Sequence, residues 1–401
     1  MKQNFNGYLR GDGRKGIRNQ LLVVYLVECA HHVAREIATT YRDQGAQVVG
    51  FSGCYPNAYA DRMMSALCTH PNVGGVLLVS LGCESFDRKK LAATVAESGR
   101  PVNTLVIQQH GGTRTTIEQG KAWAEQTLAI MKNSPRVPMS VDELVIGTIC
   151  GGSDATSGIT ANPAIGRAFD RFVAEGASAI FEETGELIGC EDILEQRAVT
   201  PELAKILRGS VEKAARYYTT LGHGSFAPGN SEGGLTTQEE KSLGAYSKSG
   251  DSMISGLLKP GDRPASGGLY LLDVVPDGAV RFGFPNINDN AEIAELAACG
   301  AHLILFSTGR GSVVGSAVSP VIKVCANPET YRNLSDDMDI DSGRILEGKA
   351  TLEEVGKEIF DLSIEVADGR LTASESLGHQ EFVLGYKTFE PTGPACHPTS
   401  G

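Results

Sequence analysis

Four short apolar runs near the start of this chain alternate with stretches of helical period, and that alternation constrains the fold more than anything else in the sequence. Residues 21–27 read as a strand, 30–44 as a helix, 47–51 as a strand ending at Gly53-Cys54, and 57–68 as a helix. A third strand, 75–81, ends at Gly82-Cys83-Glu84 and is followed by a helix over 86–98. A fourth, 103–107, runs into Gln108-Gln109-His110-Gly111-Gly112-Thr113 before a helix over 115–131. Strands alternating with helices of this length make βαβ units and a parallel sheet. Right-handed crossovers then open every strand-to-helix turn on one edge of the sheet, where Cys54, Cys83, Glu84 and His110 are expected to converge.

A second unit starts with the apolar run 144–149, which ends at Cys150-Gly151-Gly152. Ser153, Asp154, Thr156, Ser157, Thr160 and Asn162 follow before Pro163 opens a helical segment to residue 175. A buried strand thus delivers a polar loop to a helix start. The carboxyl ends of strands are where open α/β sheets bind ligands, glycine lets backbone approach a ligand, and free N–H groups at a helix start favour an anion. An ordinary capped turn is shorter and less polar. Another strand, 177–181, leads to Glu182, Glu183 and Glu186, three carboxylates at the mouth of a sheet. Residues 201–219 are helical, after which periodicity is lost.

Three literal motifs are rejected on context. Residues 229–233 match G-x-S-x-G, but Pro228 and a glycine run deny the preceding strand that a nucleophile elbow needs, so no hydrolase triad is expected. The acidic run 336–343 resembles a calcium loop, yet its glycine falls one place late and the closing glutamate is missing. It reads as a capping and turn segment before the helix 352–367. Gly11-x-Gly13-x-x-Gly16 precedes the first strand instead of following it, which excludes a dinucleotide site. What remains there is a loop with Arg10, Arg14, Lys15 and Arg18, either a grip for a carboxylate or a solvated basic arm. A further hydroxyl-rich turn, Ser307-Thr308-Gly309-Arg310-Gly311-Ser312, follows the strand 301–306 and carries one cation suited to a carboxylate. Residues 321–324 continue the sheet.

The length, 401 residues, exceeds one comfortable core. With 133–138 as linker, the expected organisation is a domain over 1–134, a catalytic domain over 139–390 and a tail, 391–401. The fold class is α/β: two Rossmann-like parallel-sheet domains with ligand loops at the strand carboxyl ends. A net charge of −12 without a basic aromatic-interleaved run argues against nucleic acid. The longest apolar run, 21–27, is too short for a membrane span, and the polar opening 1–15 is unlike a signal peptide, so a cytoplasmic location is expected. The nine cysteines include no C-x-x-C pair and are odd in number, which disfavours a disulfide framework or zinc ribbon.

The order of motifs adds a resemblance. Gly7-Tyr8, Arg10-x-Asp12-Gly13-Arg14, Gly16-x-Arg18-Asn19, Gly82-Cys83-Glu84 and Gln108 with Gly111-Gly112-Thr113 come first. Cys150-Gly151-Gly152-Ser153-Asp154, Ser157 to Pro163, Glu183-Thr184 with Glu186, Gly229-Asn230, Gly233-Gly234, Thr308-Gly309-Arg310-Gly311 and Asp336-Asp337-x-Asp339 follow. Over essentially its whole length the chain resembles the altronate/galactarate dehydratase family, and sulfolactate sulfo-lyase large subunits are similar relatives. The resemblance implies an iron-dependent lyase that removes water from a sugar acid to leave a 2-keto-3-deoxy acid. Fused members carry a small SAF-type domain ahead of the opening motif, so a separate small SAF-domain subunit is expected, together with a homo-oligomer of the large chain. The alternatives are a sulfo-lyase subunit acting on sulfolactate and a non-catalytic sugar-acid-binding subunit.

Such a reaction creates an enediolate, whose second negative charge a divalent metal stabilises while a base and an acid move protons. Candidate metal ligands at strand ends are Cys54, Cys83, Glu84, Cys150 and Glu182, with His110 beside them. Thiolates favour iron or zinc over magnesium. The resemblance favours Fe2+ as a single ion, with Mn2+ an alternative and an iron–sulfur cluster the lesser option. His110, His223 and Lys323 are the candidate bases. Arg14, Arg18, Arg114 and Arg310 are candidates to grip a carboxylate, and Ser153, Asp154 and Asn230 to bind sugar hydroxyls.

Overall fold

The computed structural model describes residues 4–222, 225–278 and 288–387, so His223 and the tail from residue 391 lie outside the described residues. The chain divides into two units. One, here the N-terminal unit, comprises Gly7–Val137, Pro276–Asn286 and Phe382–Gly401; the other, the C-terminal unit, comprises Met1–Asn6, Pro138–Val275 and Ile287–Glu381.

The opening glycine motif is a hairpin turn. β1 (Asn4–Leu9) pairs antiparallel with β2 (Lys15–Gly16), so a strand does precede the motif, contrary to the sequence reading. The dinucleotide reading still fails, because a second strand and not a helix follows the turn. β3 (Gln20–Tyr25), α1 (Glu28–Thr40), β4 (Ala46–Gly50), α2 (Ala58–Cys68), β5 (Val73–Ser80), α3 (Arg88–Glu97), β6 (Val102–Val106) and α4 (Thr113–Met131) then alternate as the periodicity requires. Asn57 and Asp87 cap α2 and α3 by accepting from Ala60 N and Lys90 N, which fixes both helix starts. The four strands lie parallel in the order β4-β3-β5-β6. Leu21, Val23, Ile37, Leu77, Val79 and Leu128 form the core between this sheet and its helices. The expected linker is partly a strand, β7 (Arg136–Ser140), in a three-stranded sheet β2-β1-β7. Its proline is tolerated because β7 is an edge.

In the C-terminal unit β8 (Val145–Cys150) leads through the polar loop into α5 (Ala161–Ala174) and β9 (Ser178–Phe181). α6 (Glu191–Gln196), α7 (Pro201–Leu221), α8 (Pro228–Glu232) and α9 (Gln238–Ser247) follow, then β10 (Ile254–Leu258), β11 (Gly268–Leu272) and α10 (Asp289–Ala298). β12 (Leu303–Thr308), β13 (Val321–Cys325), α11 (Pro328–Asn333), β14 (Ile340–Asp341), α12 (Leu352–Ala367) and α13 (Ala373–Leu377) complete the unit. Seven parallel strands run in the order β10-β11-β9-β8-β12-β13-β14. Every residue of β9, β11, β12 and β13 is buried, as expected of strands covered on both faces. Ile149, Leu272, Leu296, Ile304 and Phe306 join the sheet to α10. The chain moves from β8 to one side and later returns to β12 on the other. Cys150 and the Ser307–Ser312 turn therefore flank a switch in winding direction, the place where such sheets bind ligands. Among the described residues no helix is long and apolar enough to cross a membrane.

Candidate active site at the end of the central strand

Cys150 ends β8 as a fully buried thiol and is the centre of a dense ionic cluster. Its Sγ lies 3.1 Å from Glu186 Oε2 and 3.5 Å from Glu183 Oε1, and its backbone N–H donates to Glu183 Oε2 at 3.0 Å. Ser153 Oγ donates to Sγ at 3.4 Å, and Lys248 Nζ approaches it at 3.4 Å. Lys248 also forms an ion pair with Glu183, and Lys241 Nζ stands 2.6 Å from Glu186 Oε1. Burial, and next the Glu186 carboxylate, push the thiol up to about 12, so it is protonated at neutral pH in this arrangement. Burial pulls Lys241 down, but Glu186 outweighs it and leaves the ammonium above its ordinary value.

The carboxylates come from the turn after β9. Glu183 is the one non-glycine residue with positive φ among the described residues (φ 81°, ψ 55°), a left-handed conformation that costs a side-chain-bearing residue energy and marks functional turns. Buried Asp273 ties the turn to its surroundings: Thr184 Oγ1 lies 3.4 Å from its Oδ1, while Lys213 and Lys259 each reach its Oδ2 at 2.7 Å. Glu182 and Glu292 complete a second carboxylate group around Glu183. Tyr218 faces this group; burial, then Glu292 and Glu186, raise its phenol above the ordinary value. Asp289 opens α10, and burial followed by Glu186 lifts it to about 6.

Two groups of side chains have the reach to hold a metal. Donor atoms of Cys150, Glu183 and Glu186 all lie within 4.8 Å of one another, as do those of Glu182, Glu183 and Glu292. The first, a thiol with two carboxylates, has the mixed softness that suits iron; the second is all oxygen and suits manganese. The carboxylates of Glu183 and Glu186 stand against the Lys248 and Lys241 ammoniums. The donors fit a divalent ion. Cys150 is the one thiol in either group, and a cluster would need more.

Other candidates hold the loop together. Asp154 Oδ1 accepts from Thr156 N at 2.8 Å and Thr156 Oγ1 at 2.6 Å, and its Oδ2 accepts from Asn327 at 3.2 Å. It lies so close to Gly309 that a Cβ there would be 2.1 Å from Oδ1. Asn230 donates to Ser153 O at 3.1 Å, and Arg310 Nη1 donates to Gly229 O at 2.5 Å. A cleft of about 260 Å³ runs from Ser153, Asp154 and Lys241 outward to Ile159 and Leu243. Lys323 is fully buried under the loop after β12, donating to Val314 O at 3.3 Å beside His379 at 3.4 Å, and burial lowers its ammonium.

The remaining candidates belong to the N-terminal unit. Loops after β4, β5 and β6 meet at one sheet edge, with Ser85 N donating to Cys54 O at 2.9 Å and Gln108 N to Leu81 O at 3.1 Å. Cys54 and Cys83 are exposed there. Glu84 is turned inward onto Ser80 Oγ and Gly82 N, and His110 Nδ1 is 2.8 Å from Val106 O. Their donor atoms form no metal-sized group among the described residues. Arg114 is exposed in the first turn of α4. Arg14 and Arg18 sit at the opposite end, where β3 and β5 begin. Arg14 donates to Asp12 at 2.6 Å and Thr69 O at 2.5 Å, and Arg18 to Ile17 O at 2.9 Å.

Lys241, Lys248, Asp289 and Glu292 were not expected at the site from the sequence, and of the three glutamates after β9 only Glu182, not Glu183 or Glu186, was expected as a ligand. Lys241 within α9 and Lys248 at its carboxyl-terminal cap are two helical turns apart, a signal hidden by the weak apolar period of that segment.

Residues 141–389 match the family model described as D-galactarate/Altronate dehydratase, C-terminal, and residues 7–132 that of D-galactarate dehydratase/Altronate hydrolase, second domain. The chain is 32% identical over 392 residues to the (2R)-sulfolactate sulfo-lyase subunit beta of Chromohalobacter salexigens, covering 95% of this chain and 97% of that one. It is 31% identical to the altronate dehydratase of Escherichia coli (94% of this chain, 76% of the relative). It is 33% identical to the galactarate dehydratase (L-threo-forming) of the same organism (91% and 73%).

Proposed function

Because the chain belongs to the altronate/galactarate dehydratase family, we propose that it is a hydro-lyase that dehydrates a sugar acid to a 2-keto-3-deoxy acid at the Cys150 centre. The observation that carries this reading is the convergence of Cys150, Glu183, Glu186, Lys241 and Lys248 in one buried cluster at the end of β8.

Cys150, Glu183 and Glu186 would hold Fe2+, with Glu182, Glu183 and Glu292 the oxygen-only set for Mn2+. A divalent ion bound there supplies Lewis acidity toward the substrate carboxylate and its α-hydroxyl. Lys241 and Lys248 bring positive charge on flexible stems into this buried site, where it would offset the second negative charge of the enediolate. Asp289, with a carboxyl lifted to about 6, is suited to pass a proton from its Oδ atoms to the departing β-hydroxyl. Arg310, on the turn flanking Cys150, is placed to take a terminal carboxylate if it leaves Gly229.

A second reading is favoured by the match to nearly the whole sulfo-lyase subunit. The chemistry is shared: loss of an α-proton and a β-substituent gives an enol that becomes a keto acid, with sulfite leaving in place of water. That relative is named a beta subunit, so work alongside a second, small chain belongs to the same proposal. The test is anaerobic incubation of the protein with Fe2+ and altronate, galactarate or sulfolactate, reading keto acid and sulfite separately. Keto acid without sulfite supports the dehydratase. Sulfite from sulfolactate supports the second reading, and no product from any of the three, with or without co-expressed small subunit, overturns both.

A further inference from the structure

We propose that Lys248, with Lys241 beside it, is a built-in counter-cation that occupies the carboxylates of the Cys150 centre and gives way when a divalent ion binds. This rests on the reading of that centre as a metal site and adds how the site is kept ready.

Lys248 is fully buried, and its ammonium is shared between the Glu183 carboxylate and Cys150 Sγ, 3.4 Å away. Lys241 is nearly as buried and pairs with Glu186 at 2.6 Å. Each member of the Cys150–Glu183–Glu186 donor group therefore already stands against an ammonium. Close-set buried carboxylates repel one another and are expensive to desolvate, so a folded protein without metal needs positive charge at this place. Yet the ammoniums use the same lone pairs that a metal would take, and an ion and a lysine cannot both sit on Glu183 without strong like-charge repulsion. Lysine suits exchange, because its charge rides on a flexible four-carbon stem that can turn away without moving the helix. Both lysines lie at α9, one within it and one at its carboxyl-terminal cap, so a single element presents the surrogate charge.

The test compares wild type, Lys248→Met, Lys241→Met and Lys248→Arg, each purified without metal, by thermal unfolding and by anaerobic titration calorimetry with Fe2+ and with Mn2+. Lys248→Met is expected to melt lower than wild type when metal-free and to bind the ion about tenfold or more tightly. Lys241→Met should shift both readouts in the same direction and less, and carries the test if Lys248→Met does not fold. Lys248→Arg, which keeps the charge, should bind no tighter than wild type. Lower melting with unchanged or weaker metal binding in both methionine variants overturns the exchange while leaving the metal site standing. Wild type that takes up neither ion overturns the metal reading and the exchange with it.

Discussion

The carboxylate of Asp289 covers Gly151: its Oδ2 lies 2.2 Å from where a Cβ at position 151 would stand, and the Phe306 ring is only 2.5 Å from the same point. The glycine after Cys150 is therefore a packing requirement that lets an acidic group approach the end of β8. Gly151→Ala should displace Asp289 and Phe306 together, costing about 1–3 kcal/mol as other overpacked sites do. Turnover should fall further than stability accounts for, because Asp289 is moved. Steady-state kinetics and urea unfolding on the same preparation check this, and full kcat in the variant would remove Asp289 from the reaction.

Glu183 combines a strained backbone with a carboxylate that ties Cys150 N to Lys248. Glu183→Ala and Glu183→Gly both lose the carboxylate, but only glycine takes φ 81° without penalty. Glu183→Gly is thus expected to be more stable than Glu183→Ala by about 1 kcal/mol, with both inactive. Equal unfolding midpoints would mean that the left-handed turn carries no strain.

Asp289 gives the metal-free protein a pH signature. Its carboxyl rises from an ordinary 3.8 to about 6, first through burial and then through Glu186. Across that interval the folded protein retains a proton that the unfolded chain has released. Stability therefore falls as pH rises from about 4 to about 6 and is level above, a loss of up to about 3 kcal/mol. Asp289→Asn cannot ionise and should lack this slope. Urea unfolding of both proteins across the interval decides it, and parallel profiles would exclude Asp289 as the source.

Much of this arrangement was legible in the sequence. Strand ends, helix starts and the polar loop after Cys150 follow from apolar period and glycine placement, and the three glutamates after β9 stand in one short run. The lysines that meet them do not, because Lys241 and Lys248 arrive from a helix whose apolar face is weak. Glu292 and Asp289 are brought in by the long return from β11 to β12, a tertiary relation that spacing does not encode. Cys54, Cys83, Glu84 and His110 do stand at strand ends, but in the N-terminal unit, where Glu84 and His110 serve their own loops.

Arg310 holds the turn after β12 to α8 through Gly229 O and stands 3.2 Å from Glu232. If it transfers to a substrate carboxylate, Arg310→Gln should raise KM for a hexarate by about 10²-fold, the effect of losing one charged hydrogen bond of about 3 kcal/mol. kcat should change less. Unchanged KM with a lower melting temperature would leave Arg310 as the anchor of α8.

The opening basic motif makes the opposite prediction. Arg10 is buried and donates to Pro71 O and Arg18 O at 2.6 Å and to Asn19 Oδ1 at 2.7 Å. Arg100 joins it through Asp12 at 2.9 Å and His70 O at 3.0 Å. Two glycines of the motif allow close approach to two separate segments, for a Cβ on Gly16 would stand 2.0 Å from Pro71 O and one on Gly11 2.8 Å from Gly99 Cα. A pattern of arginines and glycines that suggests an anion grip is here a clamp fixing a hairpin across the amino ends of β3 and β5. A lysine cannot reproduce the guanidinium fork, so Arg10→Lys should cost about 3 kcal/mol of stability through lost charged hydrogen bonds. Because the clamp sits at the end of the sheet away from the strand carboxyl termini, KM and kcat measured well below the melting temperature should be unchanged. A KM that rises while stability holds would return the motif to gripping the substrate.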